Sequence, residues 1–368
     1  MANENVVFST MKYRIYPDKE ARKRIDFKLD QADLAFNKYA DHVNALKWCG
    51  FNEQQIVADL MQSESNPKLA AAEEEYVKKQ VKKLVPRLAS GEIDEIYHRN
   101  RFRGHRTVGI KRPQIKEQTA AIDGVGDVPI VMHRSLPADA CVYSIALNQD
   151  CFGAEYYLVF GYRVIKSVAA VQKPDPERVI GLDYAQNGLY VDSDGVSGGY
   201  PGIAAMGRSQ LTRYRENANH FIVGSTRWKK HQRRLKKCEK HIRNQQENWQ
   251  YNKAGYLAEN YDAVCCETLD FNAMREENPK LTNKIRDNNW HGFEKKLERK
   301  LKKEGKQLVK IPKYYPSSQV CSGCGYRVGK LPCSEREFVC PKCGLKIDRD
   351  VNAARNIREK GISILQAV

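Results

Sequence analysis

CSGCGYRVGKLPCSEREFVCPKCGLKIDRDVNAARNI, residues 321–357, is the most legible stretch of this 368-residue chain. It holds two C-x2-C knuckles, Cys321/Cys324 and Cys340/Cys343, with fifteen residues between Cys324 and Cys340. Such a knuckle folds back so that both thiolates reach one ion, and Gly323, Gly325 and Gly344 ease the turns. Four thiolates complete a tetrahedral zinc shell with no position left for water, so the expected Zn²⁺ is structural. Redox chemistry at C-x-x-C is the alternative, but two motifs this close together favour metal. Cys333 fits no paired spacing and reads as a free thiol.

Outward from the ribbon, the other six of the eleven cysteines are scattered singly or as the pair Cys265-Cys266. The opening MANENVVFST lacks a basic segment followed by an apolar one, and no apolar run approaches the ~18 residues of a membrane span. The expectation is a soluble cytoplasmic protein, with its clustered thiols in a reducing compartment. Lys and Arg number 62 against 45 Asp and Glu, a net charge of +17. An excess of that size points to a polyanion, and nucleic acid fits better than a membrane surface or a ribosome-like scaffold.

The chain opens with a short strand, KYRIYP. From Asp18 to about Lys47, Ile25, Leu29, Ala32, Phe36, Tyr39, Val43 and Leu46 recur at helical spacing. More helix is expected to about Leu88, with its charged face solvated. Residues 99–116 carry seven Lys/Arg and no acid, a composition suited to phosphate contact around Phe102. Short β-rich runs (VPIVMH, CVYSIAL, EYYLVFGYRV) then predict a small barrel or sandwich, and KPDPER reads as a linker. Beyond it RVIGLDY and DAVCCETL read as buried strands, and GLYVDSDG ends in an Asp-Gly turn. A long polar helical stretch lies between them. Its segment 227–243 has nine Lys/Arg and one Glu, which favours a helix that tracks phosphates.

Three acids stand out. Asp183 ends an apolar strand, Glu267 sits in an apolar strand where an unpaired charge is costly, and Asp350 precedes VNAARNI. Asp183 also suits a turn cap, and Asp350 a helix N-cap.

The order GLD…CCETLDF…CSGC…CPKC…DRDVNAARNI resembles the RuvC-type nuclease half of the TnpB family, transposon-encoded RNA-guided DNA nucleases related to type V CRISPR effectors. KYRIYP with AFNKY, PIVMHRSLP, GSTRWKKHQRRL and YYPSSQVCSGCG extend the likeness over most of the chain. Where that family's basic helix often reads N-x-R-x-D, this chain has Asn244, Gln246 and Asn248, and YAQNG follows Asp183 in place of the commoner glycine.

The resemblance implies an α+β architecture. A β-barrel (wedge; residues 1–16 and 110–172) is interrupted by a helical recognition domain (17–109). An RNase-H-like (RuvC) domain follows (173–318 and 347–368), with the four-cysteine zinc ribbon inserted (319–346). Asp183, Glu267 and Asp350 carry over as the catalytic metal ligands, Asp350 rather than Asp348 being the third. Three converging carboxylates imply two Mg²⁺ or Mn²⁺ ions about 3.5–4 Å apart. The implied activity is cleavage of double-stranded DNA at a site chosen by guide RNA pairing next to a short motif, with one protein per guide favoured over a dimer. Arg99, Arg101, Arg103, Arg106, Lys111, Arg112, Arg227, Lys229, Lys230, Arg233 and Arg234, with the basic stretch 295–310, are the expected nucleic-acid contacts. A miniature type V CRISPR effector, an unguided RNase-H-like transposase or nuclease, and a non-cleaving RNA-guided binder are the alternatives. The intact triad argues against the last of these. The ribbon's place before DRDVNAARNI argues against the unguided enzyme.

Overall fold

A computed structural model of the protein describes residues 4–100, 105–167, 173–329, 332 and 335–367. They form two compact units. No helix among the described residues is long and apolar enough to cross a membrane.

The N-terminal unit comprises Val6–Lys166 and Arg213–Lys237. Strand β1 (Glu4–Ile15) leads into helix α1 (Lys19–Trp48), followed by α2 (Glu53–Gln62), α3 (Ala71–Lys82) and α4 (Val85–Ala89). Six further strands come next: β2 (His105–Gly109), β3 (Gln114–Lys116), β4 (Thr119–Ile122), β5 (Gly126–Val131), β6 (Cys141–Asp150) and β7 (Glu155–Ser167). The strands make one seven-stranded sheet in the order β2-β6-β7-β1-β5-β4-β3, a curled half-barrel where the sequence predicted a barrel. Asp18 caps α1, its side chain accepting from Ala21 N at 2.7 Å. The apolar stripe Ile25, Leu29, Ala32, Phe36, Tyr39 and Val43 is buried in a core shared with the sheet. The charged face of α3 differs from expectation. Glu73, Glu74 and Lys78 are buried, because Lys28 pairs with Glu73, the Tyr39 hydroxyl donates to Glu74, and Lys78 Nζ donates to Ser63 O.

The C-terminal unit comprises Ser167–Thr212 and Cys238–Val368, with Met1–Asn5. Its elements begin with β8 (Val179–Ala185), β9 (Leu189–Asp192) and α5 (Ile203–Met206); α6 (Arg208–Asn219) and α7 (Thr226–Asn260) follow, their residues 213–237 belonging to the N-terminal unit. They continue with β10 (Ala263–Glu267), α8 (Phe271–Glu277), α9 (Thr282–Asn288), α10 (Trp290–Lys303), β11 (Gln307–Ile311), β12 (Glu337–Val339), β13 (Lys346–Asp348) and α11 (Arg349–Gln366). The sheet runs β11-β10-β8-β9, with β8, β10 and β11 parallel and β9 antiparallel to β8.

Buried on both faces, these strands read as continuous apolar runs. Ile180, Leu182, Val264 and Cys266 pack with Trp290, Phe293, Leu297 and Leu301 of α10 and with Leu257 of α7. Val179, Ala263, Cys265, Val309 and Ile311 pack on the other face with Ile357 of α11. Alternation then places Gly181, Asp183 and Glu267 on the α11 face.

Candidate active site

The acidic site is assembled by strand register. In the parallel pair β8/β10, Val179 faces Ala263 and the ladder continues to Leu182 opposite Cys266. One step further along both strands lie Asp183 and Glu267. Neighbouring strands are about 4.8 Å apart, so two carboxylates leave adjacent strand ends on the same face. The carboxyl ends of parallel strands are where open α/β sheets bind ligands.

Helix α11 brings the third acid, and a glycine lets it approach. A Cβ built on Gly181 would lie 2.1 Å from Ala354 O and 2.6 Å from Arg358 N, both backbone atoms of α11. Only glycine permits that spacing, which accounts for the glycine of the GLD motif. The start of α11 is fixed by Asp348. Its Oδ1 accepts from Asp350 N at 2.8 Å and Val351 N at 3.1 Å, so Asp348 is the N-cap. That leaves the Asp350 carboxylate outside the cap, with Arg336 Nη1 at 3.4 Å.

The electrostatics report the crowding. Burial, then the carboxylates of Glu267 and Asp350, push Asp183 well above the usual carboxylate range, with Arg349 opposing them. Burial raises Glu267 and the Ser317 hydroxyl, donating to Glu267 Oε1, lowers it. Burial and then Asp348 raise Asp350, against the pull of Arg336 and Arg349. Each acid resists ionising, all three through burial and Asp183 and Asp350 also through neighbouring carboxylates.

Ser317, Asn352 and Asn356 were not singled out by sequence reasoning. Asn352 and Asn356 are 0% and 5% exposed. Asn356 Nδ2 donates to Ser317 O (2.7 Å) and Val320 O (2.6 Å), and Asn352 Nδ2 to Val320 O (2.8 Å). Asn352 Oδ1 accepts from Ser322 N at 2.9 Å. The two asparagines of NAARN therefore tie α11 to the segment that carries Ser317 and leads into the ribbon. Their signal was present, since polar residues at i and i+4 on an otherwise apolar helix face need buried partners.

In the ribbon, Cys321 and Cys343 sulfurs stand 3.6 Å apart, as do those of Cys324 and Cys340. A tetrahedron with 2.3 Å metal–sulfur bonds has edges of about 3.8 Å, so the set fits one tetrahedral ion. Gly325 N donates to Cys321 O and Gly344 N to Cys340 O, and both glycines have positive φ, 72° and 74°. The antiparallel pair β12/β13 closes the module around buried Phe338. Cys333 lies outside the described residues.

The expected nucleic-acid contacts divide. Arg227, Lys229, Lys230, Arg233 and Arg234 are exposed on α7, and Lys111 and Arg112 are exposed after β2. Arg99 stacks on Phe36, 3.7 Å from the ring centre. Arg106 is 7% exposed, with Nε 2.8 Å from Asp33 and Nη2 2.7 Å from Asp30. Its guanidinium is committed to that internal ion pair, which removes it from the phosphate-facing set. Arg101 and Arg103 lie outside the described residues.

Residues 290–357 match the family model for the Cas12f1-like TNB domain. A Streptomyces pristinaespiralis protein, provisionally named an RNA-guided DNA endonuclease, is 28% identical over 230 residues, 62% of this chain and 56% of its own length. Escherichia coli (strain K12) InsQ, provisionally named likewise, is 24% identical over 61% of this chain and 58% of its own. TnpB-like protein L79 of Acanthamoeba polyphaga mimivirus is 27% identical over 145 residues, 38% of this chain and 27% of its own. The chain thus spans little more than half the length of the first two relatives. A Cas12f1 chain, solved with sgRNA and target DNA, shares the fold at a TM-score of 0.55 and 14% identity, covering 96% of this chain and 99% of its own. With the ribbon, α11 and the paired strand ends in the order described, the chain is similar to TnpB-like proteins and to proteins named as RNA-guided DNA endonucleases.

Proposed function

We propose that the protein is an RNA-guided DNA endonuclease, hydrolysing DNA phosphodiesters at Asp183, Glu267 and Asp350. The observation that carries the reading is the convergence of these acids from two parallel strand ends and one helix start, with Asp183 held far above its ordinary range. Carboxylates crowded in this way repel unless divalent cations neutralise them. The three residues would hold Mg²⁺ or Mn²⁺, which when bound supplies an activated water and stabilises charge on the departing oxygen.

The chain's own residues do the positioning. Strand register holds Asp183 and Glu267 side by side, and Ser317 orients Glu267 by donating to Oε1. Asp348 fixes the helix start from which Asp350 projects. In this reading the C-terminal unit is an RNase-H-like (RuvC) domain, and Cys321, Cys324, Cys340 and Cys343 hold one Zn²⁺ in the inserted ribbon. The half-barrel is the wedge, and α1–α4 are the recognition domain. The exposed cations of α7, with Lys111 and Arg112, contact the phosphates of a guide RNA–DNA heteroduplex, leaving sequence to base pairing. One protein acts per guide, in the cytoplasm.

The test is DNA cleavage by protein purified with its own RNA. Activity should need Mg²⁺ or Mn²⁺, stop with EDTA, and vanish in Asp183→Ala, Glu267→Ala and Asp350→Ala while guided DNA binding persists. Cleavage by all three variants would overturn the assignment.

A further inference from the structure

A cavity of about 450 Å³ lies wholly within the N-terminal unit, lined among others by Asp26, Gln149, Phe152, Val223, Lys229 and Arg233. Its surfaces are of three kinds. Asp26 and Gln149 bring acceptors. Gln149, 6% exposed, donates Nε2 to Asp26 Oδ1, and the Tyr156 hydroxyl donates to the same oxygen at 3.3 Å. A carboxylate has a second oxygen and an amide its own carbonyl, so both groups retain acceptor capacity. Burial pushes Asp26 above its usual range, a cost that further donors relieve.

Phe152 and Val223 bring apolar surface. Phe152 sits at the tip of the β6–β7 hairpin, where Cys151, Phe152 and Gly153 all have positive φ (50°, 55° and 78°). Two consecutive non-glycine residues rarely hold that conformation, and here the surroundings enforce it. Arg233 Nε donates to Phe152 O at 2.8 Å, and the Phe152 ring stands edge-on to Trp228 at 5.4 Å. Across the cavity, the α6–α7 turn exposes Val223 at 63%. Lys229 and Arg233 bring exposed positive charge.

A flat ring for the apolar walls, a donor edge for the acceptors and a phosphate for the cations describe a nucleotide. Guanine alone among the four RNA bases carries two adjacent donors, N1–H and the N2 amino group. We propose that this cavity receives one unstacked guanosine nucleotide of the bound RNA. The inference rests on the RNA-guided reading and names a subsite for it. Single-stranded or looped RNA is read in this manner, by stacking and by hydrogen bonds to a base's Watson–Crick edge.

The test uses the full chain with a transcript of its co-purifying RNA containing 6-thioguanosine. After irradiation, mass spectrometry should find one guanosine crosslinked to residues 150–154 or 222–229. Changing that guanosine to adenosine should weaken RNA binding about tenfold at high salt. Phe152→Ala or Asp26→Asn should abolish the preference. The RNA-side change leaves the protein untouched, so misfolding cannot imitate it. Crosslinks confined to other segments, or equal binding of the adenosine transcript, would overturn the proposal. A crosslink to free 6-thioguanosine monophosphate with none to the RNA would also overturn it, marking a free-nucleotide site. These outcomes are separable from failure of the guided reading, which shows as cleavage that needs no RNA.

Discussion

Adding one methyl group at Gly181 tests whether close approach of α11 builds the acidic site. The new Cβ would sit 2.1 Å from Ala354 O and 2.6 Å from Arg358 N. Ordinary contacts begin above 3 Å and both neighbours are backbone, so no rotamer change relieves the clash. Helix α11 must retreat by about 1 Å, and Asp350 at its start moves away from Asp183 with it. Misplacement by about 1 Å costs on the order of 100-fold in rate, about 2.7 kcal/mol of barrier. Overpacking of this kind destabilises a fold by about 1–3 kcal/mol. Gly181→Ala should therefore remain folded with a lowered Tm, bind RNA and guided DNA, and cut about 100-fold more slowly. The assay is single-turnover cleavage at saturating protein, with melting followed in parallel. A folded variant that cuts at the parental rate would refute the packing argument.

Asn356→Ala should destabilise the fold by about 1–3 kcal/mol, seen as a lower Tm, since it removes the buried Asn356 donor from Ser317 O and leaves Val320 O with Asn352 alone. It should also slow cleavage through Ser317 and Glu267, and Ser317→Ala should slow it without the loss of Tm; both are read by melting and single-turnover rates. Asp348→Ala removes a helix cap worth about 1 kcal/mol, so it should lower Tm while retaining most activity; a dead Asp348→Ala beside an active Asp350→Ala would reverse the ligand assignment. Elemental analysis should find one zinc per chain, lost on Cys321→Ser or Cys340→Ser and retained on Cys333→Ser. A carboxyl whose folded pKa is raised holds its proton in the native state, so its ionisation destabilises the metal-free fold as pH rises above the unfolded value near 3.8. Asp183→Asn should accordingly raise Tm in EDTA at pH 7.5, and melting in EDTA with no gain would contradict the crowding.

Much of the fold and site could be read from residues alone, for identifiable reasons. The stripe from Ile25 to Val43 has the period of one helix face, and Asp18 supplies its cap, so α1 was legible almost to the residue. The knuckles were legible because four thiolates at that spacing have few other uses. Periodicity gives a face but not the partner on it. The interior pairing of Glu73, Glu74 and Lys78 and the internal ion pair of Arg106 depend on residues 15 to 76 positions away in sequence. For the same reason Asp183 and Glu267 were each recognisable as strand-end acids, while their adjacency depends on the β8/β10 register. Ser317 was hidden because a serine in a loop carries no signal until the strand it faces is known.

The central claim is that RNA directs the acidic site to DNA, and binding alone cannot test it. A chain of net charge +17 holds any nucleic acid at low salt through counterion release. The direct measurement is cleavage of matched and mismatched plasmids, with and without the cognate RNA, in Mg²⁺ at salt that suppresses non-specific binding. The account predicts cutting only of the matched plasmid, only with RNA, and abolished by mismatches beside the short flanking motif. Equal cutting of both plasmids without RNA would contradict it.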